Sequence, residues 1–61
     1  MRIYRNEQTG IVSLENVKSI KSVTMTQIKI DYMNGECAFI NHKKGEIEVI
    51  FDTIEKILTE N

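Results

Sequence analysis

Apolar side chains recur along this chain at two spacings, and the change of spacing divides it. In QIKIDY (27–32) they alternate strictly, with Ile28, Ile30 and Tyr32 on one parity and Lys29 and Asp31 on the other. A period of two marks a strand with one buried face. MNGE (33–36) follows, and Asn-Gly between apolar runs is a strong hairpin signal. A two-residue Asn34-Gly35 loop pairs Met33 with Glu36. It sets Tyr32 opposite Cys37, Ile30 opposite Phe39 and Ile28 opposite Asn41. The expected core face is then Ile28, Ile30, Tyr32, Cys37 and Phe39.

The same reasoning extends through HKKGE (42–46). A three-residue loop, Lys43-Lys44-Gly45, pairs His42 with Glu46, and brings Asn41 opposite Ile47, Phe39 opposite Val49 and Cys37 opposite Phe51. This loop gathers the large apolar side chains on one face, with glycine at the bulge position. The other face carries Lys29, Asp31, Ala38, Ile40, His42, Glu46, Glu48 and Ile50.

After Phe51 the period lengthens. Ile54, Ile57 and Leu58 fall at helical spacing, and Asp52 with Glu55 fits a capping box. Upstream, RIY and GIVSL flank a turn at NEQTG and read as a first hairpin closed at Gly10. ENVKSIKSV reads as a strand of weakly fixed register, the kind expected at a sheet edge, with TMT as a bend after it.

The pattern therefore predicts a mainly β (α+β) single domain over 1–61. About five antiparallel strands form a small curved sheet or barrel-like domain with one short C-terminal helix. Strands are expected near 2–5, 11–14, 17–23, 27–33, 36–42 and 46–51, and the helix near 53–59. A chain of 61 residues buries a limited core. Small domains commonly add disulfides, a metal or a partner chain. One cysteine makes no internal disulfide and no Cys-rich zinc site, so a homodimer or higher oligomer is expected.

Charge is uneven. Residues 1–44 hold seven Lys/Arg and four Asp/Glu (+3), and residues 45–61 hold one Lys and five Asp/Glu (−4), which sum to the net −1. The basic front and acidic tail are expected to pair with each other across the fold or a dimer. No apolar run approaches a membrane span, and the basic N-terminus lacks the apolar core of a secretory signal. The expected setting is the cytoplasm (the host's, if the chain is phage-encoded), where a lone thiol stays reduced.

Candidate chemistry is sparse. Cys37 and His42 lie five positions apart, so on one strand they point to opposite faces and form neither a catalytic nor a metal pair. His42 with Glu46 and Glu48 reads as a solvated cross-strand cluster. No phosphate-binding glycine motif is present. The chain is expected to be non-enzymatic, without cofactor or metal. For nucleic acid, seven cations are spread over the strands, and Tyr4 is the one aromatic left free by the core assignment. Ile40 and Ile50, adjacent on the outer face, make either a patch suited to an interface or a second face covered by the N-terminal hairpin. With the turn residues they form the expected partner-binding set: Ile40, His42, Lys43, Lys44 and Ile50.

The run LENVKSI…IKIDYMNGE…DTIEKILTE resembles small bacterial and phage single-domain proteins, and its layout is similar to that of the short flagellar regulatory protein FlbD. NHKKGEIEVIF stands in this reading as an added strand. Together these readings point to a small binding or regulatory protein that works by protein–protein contact. It fits a phage or mobile-element protein that inhibits or redirects a host protein. The alternative is a nucleic-acid-binding small β domain.

Overall fold

The computed structural model describes residues 2–60. Five strands and one helix follow in order: β1 (Ile3–Asn6), β2 (Gly10–Ser13), β3 (Val17–Thr24), β4 (Gln27–Tyr32), β5 (Cys37–Asn41) and α1 (Ile47–Thr59). The domain is mainly β, and all strand pairs are antiparallel. The strands form two sheets, a β1–β2 hairpin and a β3–β4–β5 meander.

The core gathers one face from each piece. Val12 and Leu14 come from the hairpin segment, Ile28, Ile30 and Ile40 from the meander, and Ile50 and Ile54 from α1. Each is at most 6% exposed. Full burial of such a side chain stabilises by ~1.5–3 kcal/mol. Tyr4, Val17, Ile20, Tyr32, Ala38, Ile47, Phe51, Ile57 and Leu58 pack around them.

The strand expected at 46–51 is helix. Ile47, Ile50, Phe51, Ile54, Ile57 and Leu58 make one stripe at helical spacing, and this stripe packs on the core while Val49 is 66% exposed. Period two fits Ile47, Val49 and Phe51 alone; period 3.6 accounts for every apolar residue of α1 except Val49. Asp52, expected at a helix start, therefore sits inside the helix. The N-terminal boundary is Glu46. Its N–H donates to the Lys43 carbonyl (3.2 Å), and its carboxylate accepts from the Lys43 N–H (2.8 Å). Gly45, at φ 88°, completes this turn.

The Asn-Gly loop differs too. Only Gly35 has positive φ (90°) there, and the loop is three residues long, Met33-Asn34-Gly35. Gly35 N–H donates to Tyr32 O (3.1 Å), and Tyr32 N–H donates to Glu36 O (2.9 Å). This is a turn followed by a glycine bulge. The register becomes Asp31↔Cys37, Ile30↔Ala38, Lys29↔Phe39 and Ile28↔Ile40. A slip of one residue turns a strand over. Ile40 and Ala38 face the core, and Cys37 and Phe39 face outward. The physical reason is local: the expected register sets polar Asn41 on Ile28, whereas the observed one sets Ile40 there.

β3 is an edge strand with register shifts between Val17 and Ser19 and between Ser22 and Thr24. That irregularity matches its mixed apolar parity. Asn16, before it, adopts φ 58°, a conformation asparagine tolerates, and its carbonyl accepts from Met33 N–H (2.9 Å).

Candidate functional site

Among the five residues expected to bind a partner, Ile40, His42 and Ile50 are buried, at 0%, 3% and 5% exposure. They cannot form an exposed patch. The same slip and the same helix account for all three: β5 presents its other parity, and Ile50 lies on the inner stripe of α1. Lys43 and Lys44 remain exposed in the turn between β5 and α1.

His42 is the buried polar residue of the core. Its Nδ1 lies 2.8 Å from the Lys43 carbonyl, which can only accept, so Nδ1 donates. Nε2 is buried without a partner among the described residues. Cys37 is exposed. The parity that separates the two residues therefore holds, with inside and outside exchanged. Among the described residues, no group of three His, Cys, Asp or Glu is placed to hold a metal ion. No described helix is long and apolar enough to cross a membrane.

The slip moves interest to the outer face of the meander. The strand register arranges this face in rows. Lys21, Lys29 and Phe39 form one row, and Ser19, Asp31 and Cys37 the next. Lys29 Nζ is 3.6 Å from Asp31 Oδ1, and Ser19 Oγ donates to Asp31 Oδ2 (3.2 Å). Gln27 Nε2 donates to Asn41 Oδ1 (3.2 Å). Phe39 is 42% exposed in the middle of this polar frame. A large apolar side chain stands outside here among hydrogen-bonded polar groups.

Beside this face, a cleft of about 700 Å³ runs between the end of β2 and the start of β5. Its lining includes Ser13, Glu15, Tyr32, Met33, Cys37 and Ala38. Tyr32 closes one end by donating its hydroxyl to Ser13 O at 2.6 Å. Burial, and then the nearby Glu36 carboxylate, push the Tyr32 phenol above its ordinary 10.0. At the other end of β5 the hairpin tip clasps Asn41. Thr9 Oγ1 accepts from Asn41 N–H (2.7 Å), and Asn6 Nδ2 donates to Asn41 O (3.1 Å). Between these clasps, no backbone bond among the described residues joins the two sheets.

The expected pairing of basic front with acidic tail is absent as an ion pair among the described residues, where the salt bridge found is Lys29–Asp31. Arg2 reaches Glu60 only at its backbone carbonyl, 3.2 Å away. Tyr4 is half-buried against the core and is not the free aromatic that sequence predicts. Sequence reasoning missed Phe39 because it placed the ring inside. The polar Asn41 on the supposed core face was the available signal against that register.

Compared with known proteins, the chain matches no family model, no curated protein and no solved structure.

Proposed function

We propose that the chain is a small non-catalytic binding protein that acts by contact with another protein, through the outer face of β3–β5 centred on Phe39. The observation that carries this reading is Phe39 itself, 42% exposed between Lys29 and the β5 edge, with Met33 72% exposed at the neighbouring turn. An exposed aromatic in a hydrogen-bonded polar frame suits a contact anchor, because aromatic side chains supply much binding energy at little conformational cost. The resemblance to small phage and bacterial regulators supports a role in inhibiting or redirecting a host protein. Of the segment read as an added strand against that layout, 47–51 is the start of α1, and 42–46 is the turn before it.

The test is quantitative affinity capture from the native host with wild type and Phe39→Glu as baits. Lys29 lies directly across from position 39, so a carboxylate there is accommodated in the fold. A protein enriched by wild type and lost with Phe39→Glu supports the reading. A partner set that the substitution leaves unchanged refutes it.

A second reading draws on the same residue. Phe39 stands in one row with Lys21 and Lys29, the arrangement of a stacking ring beside cations. Lys29 is already paired with Asp31, which weakens it as a phosphate contact. A gel shift that appears at low salt, fades as salt rises and is abolished by Phe39→Glu would favour nucleic acid over protein.

A further inference from the structure

β5 is an edge strand, and the direction of its main-chain groups follows from two bonds. Tyr32 N–H donates to Glu36 O, and His42 N–H donates to Thr26 O, both at 2.9 Å. In an antiparallel ladder, bonded pairs alternate with non-bonded ones. Ala38 and Ile40 therefore turn their N–H and C=O groups toward β4. Cys37, Phe39 and Asn41 turn theirs away, toward the free edge. The hairpin tip satisfies those of Asn41. Those of Cys37 and Phe39 meet no partner among the described residues. An edge left open in this way is a template for another strand.

We propose that this edge pairs with the same edge of a second copy, antiparallel about Ala38, to make one continuous six-stranded sheet. Two open residues flanking a central one are self-complementary under a two-fold axis. Cys37 faces the partner's Phe39, and Phe39 faces the partner's Cys37. Each of these pairs exchanges two N–H···O=C bonds, and Ala38 faces the partner's Ala38.

Three features fit this occupant. The outer rows meet with opposite charge: Lys21, Lys29 and Phe39 continue into the partner's Cys37, Asp31 and Ser19, and the second row repeats this in reverse. The basic half of each row thus joins an acidic half. The two Phe39 rings become diagonal neighbours on one face, a spacing that aromatic side chains bridge. Finally, Asn41, where the hairpin crowds the edge, lies beyond the two bonded pairs, level with the partner's 33–35 turn, where that chain has already left the strand. The outer face stays accessible, so this inference stands apart from the binding reading above.

The test uses full-length protein and two substitutions that leave Phe39 in place. Ala38 pairs face to face as a non-bonded pair with Cα atoms ~4.5 Å apart, inside disulfide range. In a Cys37→Ser background, Ala38→Cys is expected to form an intermolecular disulfide under mild glutathione oxidation, mapped to position 38 in both chains. Val49→Cys, on the exposed side of α1, is the control and is expected to stay unlinked. Wild type is expected to sediment as a dimer at tens of micromolar. Cys37→Pro removes one outward N–H and no bond among the described residues, so the sedimenting mass should halve while far-UV circular dichroism is retained. A monomeric wild type, a dimer that survives Cys37→Pro, or cross-linking at 38 no better than at 49 overturns the proposal. Capture lost with Phe39→Glu but kept with Cys37→Pro would uphold the binding reading whether or not the dimer forms.

Discussion

The register of β5 decides which side chains hold the fold and which meet a partner, and truncating adjacent residues tests it. Ile40 is 0% exposed and paired with Ile28; Phe39 is 42% exposed and paired with Lys29. Ile40→Ala removes about three methylene equivalents, worth ~0.8 kcal/mol each in transfer alone. The cavity left between sheet and helix adds to this, giving about 3–4 kcal/mol, inside the range for such core truncations. Phe39→Ala removes a larger side chain whose contacts are partial, and should cost about 1 kcal/mol. A chain of 61 residues has roughly 3–9 kcal/mol of stability in total. Ile40→Ala should therefore bring the domain close to unfolding, while Phe39→Ala leaves it folded. Urea titration followed by far-UV circular dichroism measures both. A single low protein concentration keeps any self-association from biasing the comparison. If Phe39→Ala proves the more damaging of the two, the outward assignment of Phe39 is wrong, and with it the binding face and the edge pairing.

Four further outcomes follow from three single positions. Tyr32→Phe deletes the 2.6 Å bond to Ser13 O and should cost about 1 kcal/mol, read as a lower urea midpoint. Because the phenol is raised above its ordinary 10.0, the folded state favours the neutral form. That contribution is whole below pH 10 and is lost as pH rises through the folded value, so wild type should weaken above pH 10 more steeply than Tyr32→Phe; parallel pH profiles would contradict this. Gly45→Ala meets no atom within 4 Å but must hold φ 88°, so it should destabilise by about 1–2 kcal/mol through the backbone alone; an unchanged melting temperature would show that the turn can rearrange. His42→Leu removes the unpaired buried Nε2 together with a bond to a carbonyl on exposed Lys43, and should change stability by less than about 1 kcal/mol; a loss above ~2 kcal/mol would mean that Nε2 has a partner.

The strand at 27–32 was legible because one parity holds only Ile28, Ile30 and Tyr32, and the other only polar residues. β5 was not, because both its parities are apolar: Cys37 and Phe39 on one, Ala38 and Ile40 on the other. Local pattern cannot choose between such faces; the turn and the next element must. The turn misled, since Asn-Gly suits a two-residue loop and the chain instead uses Gly35 alone at positive φ. The next element misled as well, since EIEVIF satisfies period two and period 3.6 together. Each error supported the other: a strand at 46–51 needs Phe39 and Cys37 inside to meet Val49 and Phe51. Extending the helical stripe from Ile47 to Leu58 removes the second error, and the polar Asn41 then argues against the first. The candidate site followed the register. Lys43 and Lys44 were placed correctly outside because a glycine turn exposes its neighbours in either arrangement. Ile40 and His42 share the parity of β5 that faces the core, and Ile50 lies on the inner stripe of α1. The surface signal was in the sequence throughout, as a phenylalanine one position away from where it was sought.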